Sequence, residues 1–236
     1  GENRLTPWSN DAVRDPTGEA LYLRDEETGE VWTPTPLPSG ADHPYRVTHG
    51  AGYTTFEHNS HGLHQILTLF ASPEDPVKIV HLKVENTLPH NRRITATQYV
   101  EWVLGTTHAA SMAFIIPEYD STQECLLATN PYNAEFNARV AFLIASKTVH
   151  GLTADRTEFL GRGGTPNFPA ALHRLGLETR ITPGEDPCAV MQLHLDLIPG
   201  AVEEIYFVLG QGNDKEHALA LAKKYRNPAF VGAALK

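Results

Sequence analysis

Four groups of residues in this chain could carry chemistry. His49, His58, His61 and His64 lie in one short stretch, and imidazoles at close quarters are common zinc ligands. On strands, His58 and His64 would face each other across a hairpin with its tip at 59–62. Against a metal site, His58 and His61 fall on different sides of that turn, no Cys accompanies them, and the 12 His are spread through the whole chain. They read as polar strand and turn positions, and neither a metal nor another cofactor is expected. Aromatic residues form the second group: Trp8, Tyr22, Trp32, Tyr45, Tyr53 and Phe56, with Arg24, Asp25, Glu57 and Asn59 nearby. Indole and phenol rings stack on the C–H faces of sugars while polar neighbours bind the hydroxyls. Taken singly, each ring is as well explained by a place in a core. Carboxylates are the third group. Glu57, Glu118, Asp120 and Glu158 could supply a glycoside-cleaving pair, but no spacing brings two of them together. Last, Gly161-Arg-Gly-Gly164 reads as a tight turn that presents Arg162, a fork-shaped donor suited to phosphate or sugar hydroxyls. It lacks the Lys-Ser/Thr of a phosphate loop, and the chain has no GxSxG or HExxH motif. No catalytic residue is assigned.

The elements that must position these residues follow a period of two. Ile94, Ala96, Gln98, Val100, Trp102 and Leu104 share one face of Arg92–Leu104, with Thr95, Thr97, Tyr99 and Glu101 opposite; this predicts a half-buried strand. Val80, Leu82 and Val84 share a face in the preceding run, and the 86–91 stretch has turn chemistry. Further strands are expected at 139–145, 189–198 and 202–210, and a hairpin at 20–33 around Glu26-Glu-Thr-Gly29. Near the other end, Asn213 and Glu216 form a capping pattern, and Ala218, Leu221, Ala222 and Tyr225 follow at helical spacing. Asn227-Pro228 then interrupts an Ala-rich stretch. About ten short strands with turns between them indicate a large antiparallel sandwich. The segment 49–56, where Gly50 and Gly52 bracket Ala51, suits a close backbone approach.

Composition narrows the classes. The 236 residues are 41% hydrophobic and carry a formal charge of -9, which disfavours a nucleic-acid partner. Two cysteines indicate no disulfide framework and suit a reducing compartment. No apolar run reaches the ~20 residues of a membrane-spanning helix.

Longer strings carry a resemblance. LTPWSNDAVRDPTGEALYLRDEETGEVWTPTPLP (5–38), YRVTHGAGYTTFEHNSHGL (45–63), VKIVHLKVENTLPHNRRITATQYVEWVLG (77–105), NPYNAEFNARVAF (130–142) and RTEFLGRGGTPNFPAAL (156–172) resemble the N-terminal domain of glycoside hydrolase family 94. That family includes cellobiose and chitobiose phosphorylases and cyclic β-1,2-glucan synthases, and the glucan synthase branch is the most similar. The resemblance implies an all-β, galactose-mutarotase-like super-β-sandwich over 1–212, with 213–236 starting a helical linker to an α/α barrel outside this sequence. In the family that barrel carries the catalytic Asp and the phosphate site. This domain would then be non-catalytic, within a parent enzyme acting on β-glucans. It would shape a wall of the active site, support a homodimer, or hold a β-glucan or oligosaccharide. The loop of Arg162 and Asn167 is expected to touch a neighbouring domain, and the parent is expected at the bacterial inner membrane with this portion on the cytoplasmic face. Two other readings compete. A stand-alone sugar epimerase needs a His acid and a Glu base in one cleft, with His58 or His81 as the imidazole; a pure interaction domain needs no sugar affinity. The candidate contact residues are Trp8, Arg24, Asp25, Trp32, His49, Tyr53, Glu57, Arg162 and Asn167.

Overall fold

A computed structural model describes residues 3–9, 11, 13 and 17–235; Gly1 and Lys236 lie outside them. The first strands are β1 (Glu19–Asp25), β2 (Val31–Trp32), β3 (Tyr45–Gly50), β4 (Tyr53–Ser60), β5 (Leu63–Ala71), β6 (Val77–Asn86) and β7 (Arg92–Glu101). A short helix α1 (His108–Ser111) precedes β8 (Ile116–Asp120), β9 (Cys125–Thr129), β10 (Val140–Ala145) and β11 (Gly151–Asp155). Helix α2 (Arg156–Leu160), β12 (Pro187–Leu197), β13 (Val202–Gly212), α3 (Lys215–Tyr225) and α4 (Pro228–Ala234) complete the order. The strands form two antiparallel sheets. One runs β11-β12-β7-β1-β2; the other runs β3-β4-β5-β6-β13-β10-β9-β8. This is the expected large super-β-sandwich.

Alternation explains the central layer. Val80, Leu82 and Val84 of β6 face Ile94, Ala96 and Val100 of β7, and with Trp32, Trp102 and Phe207 they fill the space between the sheets. The opposite face of β6 is also used. Val77 and Ile79 join Phe142, Val208 and the α3 residues Ala218, Leu221, Ala222 and Tyr225 in a second core on the outside of the larger sheet. A third core covers the smaller sheet, where Phe159 and Leu160 of α2 and Leu172 pack on Tyr22, Tyr99 and Val190. Both faces of β7 are therefore covered, and the expected half-buried strand is buried on both sides. The Phe159 ring stacks on Tyr99 with centroids 5.2 Å apart.

Local chemistry sets the ends. Asp155 caps α2, accepting from the N–H groups of Thr157 and Glu158 at 2.8 and 3.1 Å. The Gly161–Gly164 stretch is the expected tight turn: Gly161 has φ +89, and a Cβ on Gly164 would sit 1.9 Å from the Leu160 carbonyl oxygen. Helix α3 is capped by Asp214, which accepts from His217 N–H at 2.8 Å, one residue beyond the expected Asn213. The Asn213 side chain instead accepts from Arg139. The β4–β5 turn is also tighter than expected. It consists of His61 and Gly62, at φ 51 and 68, which places His58 opposite Gln65 and Asn59 opposite His64. His58 and His64 thus lie on opposite faces of the sheet, which rules out their meeting across the hairpin.

Candidate functional site

The expected contact residues separate into distinct places. Trp32 is in the core, 1% exposed; its indole N–H donates to Gln65 Oε1 at 2.9 Å and its ring stacks on His61. No sugar can reach it. Asp25 is buried as well. It accepts from Arg92 Nε at 3.1 Å and from the N–H groups of Glu27 and Thr28, so it holds the 26–29 turn and is not free for hydroxyls. Arg24 donates to the Arg174 carbonyl at 2.6 Å and lies 3.8 Å from Glu26. Each of these three side chains is committed to the protein itself.

The remaining candidates are accessible but do not converge. His49, Tyr53 and Glu57 share the β3–β4 hairpin. His49 pairs with Thr54, and Tyr53 with Gly50, so the imidazole is on the opposite face from Tyr53 and Glu57. Glu57 lies 3.2 Å from His64 and 3.7 Å from Arg46. Arg162 and Asn167 are exposed on the one loop following α2, which Tyr22 anchors by donating its hydroxyl to the Pro166 carbonyl at 2.6 Å. Trp8 is 62% exposed with the Arg4 guanidinium 5.2 Å from its ring. The imidazoles offered for epimerase chemistry are apart too: His58 is in the core, 1% exposed, and His81 pairs with Glu204 on the outer face. Among the described residues, no cluster of three or more His, Cys, Asp or Glu could hold a metal ion.

What the topology does bring together is one end of the sandwich. The connections 102–115, 130–139 and 156–186 all leave from it, while the opposite end is closed by short turns at 26–30, 61–62, 87–91 and 198–201. Long irregular connections on a rigid scaffold are where binding residues concentrate. At this end Tyr132 stacks on Phe114, centroids 4.2 Å apart. Tyr132 is 73% exposed, and Phe114, Ile116 and Met112 are about two-fifths exposed. Phe114, Ile116 and Tyr132 line an apolar groove of about 500 Å³ with Ala113, Pro131, Pro183 and Gly184. Arg4 ties the Trp8 segment to the same end through the Thr106 carbonyl at 3.2 Å. Sequence reasoning missed these residues because no periodicity marks an irregular connection; the length of 102–115 was the available signal.

A charged cluster supports this end from beneath. His108 Nε2 lies 2.8 Å from Asp186 Oδ1, and its Nδ1 lies 3.0 Å from the Trp102 carbonyl. Both partners only accept, so both ring nitrogens donate and His108 is an imidazolium. Arg156 bonds Asp186 at 2.9 Å, Glu101 at 3.2 Å and the Tyr99 hydroxyl at 3.0 Å. Burial lowers the His108 pKa, but the Asp186 bond, the Trp102 carbonyl and the charges of Glu101 and Asp186 outweigh it and hold it above the ordinary value. Burial raises Asp186, and His108 with Arg156 more than reverses that. The raised histidine fixes the sign. Its contribution is complete below the unfolded value of about 6.5 and is lost as pH rises through the folded value. A His108→Gln chain should lose on the order of 1 kcal/mol at pH 5.5, a figure kept small by partial solvent access. It should also lose less stability than the parent as pH rises above about 6.5. Urea midpoints at several pH values check this; parallel curves for the two chains would refute it.

A two-sheet β scaffold with one loop-built apolar end defines a supersandwich module. The family model for the glycosyl hydrolase 94 supersandwich domain matches residues 1–228, and the chain belongs to that family. Among curated proteins it is 32% identical to the cyclic beta-(1,2)-glucan synthase NdvB of Rhizobium meliloti over 99% of this chain and 8% of that protein. It is 27% identical to the solabiose phosphorylase of Paenibacillus borealis over 89% of this chain and 28% of that one. The chain therefore spans less than a third of either relative. A bacterial glucoamylase solved with acarbose shares the fold, with a TM-score of 0.57, 10% identity, and coverage of 88% of this chain and 28% of that one.

Proposed function

We propose that this chain is a non-catalytic module of a larger β-glucan-acting enzyme of the glucan synthase or phosphorylase kind. Its loop-built end would dock on the catalytic domain and form part of the wall around the glucan. The Phe114–Tyr132 stack with Ile116 carries this reading, because a contiguous exposed apolar patch is the usual mark of an interaction site. The family membership supports it. The Arg162–Asn167 loop is a second, polar contact. Two buried, unpaired cysteines suit the reducing cytoplasmic side of the membrane, where we place the domain.

The isolated chain should give no phosphate-dependent cleavage of β-glucosides. Turnover in the ordinary enzyme range, about 1 per second or more, would overturn the reading. A Tyr132→Ser chain should keep its stability within about 0.5 kcal/mol of the parent. It should nevertheless bind less tightly to the catalytic region supplied as a separate polypeptide. Unchanged association would place the docking surface elsewhere.

A further inference from the structure

Three polar side chains break the apolar alternation at one end of the layer between the sheets. Glu19 precedes Leu21 and Leu23 on the inward face of β1, and Lys78 precedes Val80 and Leu82 on that of β6. Gln98 stands between Ala96 and Val100 on β7. Polar groups at inward positions cost free energy unless something answers them. Glu19 and Lys78 answer each other at 2.8 Å, and the Thr6 hydroxyl donates to Glu19 at 2.9 Å. Gln98 is 2% exposed. Its amide N–H donates to the Tyr99 carbonyl at 3.3 Å, but its buried Oε1 meets no donor among the described residues.

Two cavities adjoin at this point. The outer one, about 410 Å³, has Leu5, Thr6, Val77 and Leu209 in its wall. The inner one, about 60 Å³, is bounded by Leu21, Leu67, Leu69, Val80 and Gln98. Glu19 and Lys78 belong to both walls, so the ion pair lies where the two meet. The outer cavity is within the size range of small-molecule sites. The inner one has room for a few water molecules at most, which suits a hydroxymethyl group and not a ring.

We propose that this mouth binds a hexose residue, with the ring in the outer cavity and its exocyclic hydroxymethyl in the inner one. The charges select a neutral ligand, since Glu19 repels an anion and Lys78 a cation. A hydroxyl both gives and takes a hydrogen bond. Adjacent ring hydroxyls can therefore donate to Glu19 and accept from Lys78 together. The hydroxymethyl oxygen donates to Gln98 Oε1, and its CH2 lies on Leu67 and Val80. Leu5, Val77 and Leu209 offer apolar surface to the C–H groups of the ring. The site shares no residue with the Phe114–Tyr132 groove, so the inference stands apart from the docking reading.

Calorimetric titration of the chain with glucose should give a Kd of about 1–10 mM, the range that ordinary ligand efficiency gives a molecule of this size. Xylose has the same ring hydroxyls without the hydroxymethyl. It should bind at least about tenfold more weakly, because the buried acceptor stays unpaired. Gln98→Met keeps the volume and removes that acceptor, so the thermal midpoint should hold or rise while the preference for glucose over xylose disappears. Ala71→Trp, at an exposed position of the outer wall, should keep the fold and abolish binding of both sugars. A β-linked glucose disaccharide that binds as tightly as glucose would mark a chain end as the occupant; one that is excluded would mark the free sugar. No saturable heat up to about 100 mM glucose, equal affinities for glucose and xylose, a preference that survives Gln98→Met, or binding that survives Ala71→Trp would each overturn the proposal.

Discussion

Replacing Asp25 by Ala should cost about 3–5 kcal/mol, because it leaves the Arg92 guanidinium as an uncompensated buried charge. The two side chains are 5% and 3% exposed. The carboxylate also accepts from Glu27 and Thr28 in the β1–β2 turn, and Arg92 donates to the His61 carbonyl in the β4–β5 turn at 2.5 Å. One pair thus ties a turn of each sheet together. Guanidinium unfolding should show a lower midpoint with an unchanged slope. A loss below about 1 kcal/mol, the scale of an exposed ion pair, would show that water reaches the site. The pH dependence has a definite sign. Burial raises the Asp25 pKa, but the Arg92 bond and the two backbone N–H groups outweigh it and leave it below the ordinary value. Its contribution is present above the unfolded value of about 3.9 and disappears as pH falls through the folded value. The Asp25→Ala chain should therefore lose less stability than the parent on acidification below pH 4.

Trp32→Ala should cost a similar amount, about 3–5 kcal/mol, as expected for deleting a fully buried indole. The void would lie between the sheets, and Gln65 Oε1 would lose its donor at a buried position. Trp32→Phe should cost less, since it refills most of the volume and loses chiefly the hydrogen bond. Thermal unfolding of both chains checks the order. Trp32→Ala within 1 kcal/mol of the parent would mean that the ring does not fill the core.

Periodicity made much of this fold legible. The alternation of 92–104 and of 77–86 places β6 and β7 with the correct residues facing inward, because period two depends only on the backbone pleat. What it could not show is which outward faces find a cover. Tyr99 looked solvent-facing until Phe159, far along the chain, closed over it. Parity errors have a similar origin. Even and odd turn lengths around Gly62 are both compatible with the sequence, and only an odd length would let His58 meet His64. Asn213 and Asp214 are both good caps, and the winner is set by where β13 releases the chain.

The candidate contacts show the same divide more sharply. Trp8 and Trp32 are the same residue type in similar polar surroundings along the chain, yet one is in solvent and the other is sealed between sheets. Arg162 and Asn167 were legible as an exposed loop because glycines mark turns. Phe114 and Tyr132 were not, since their stack joins two connections that only the strand order brings together.

Helix α3 changes how this polypeptide can be divided. It sits over Phe142, Ile79 and Val208, and its final Tyr225 hydroxyl meets Ser72 and Asp75 at 2.9 and 2.8 Å across the β5–β6 loop. A shortened gene product stopping at residue 212 would bare an oily stripe along the middle of the broad sheet. Scissors placed there would yield inclusion bodies in place of a tractable fragment, so α3 has to travel with the strands in any dissection of this domain.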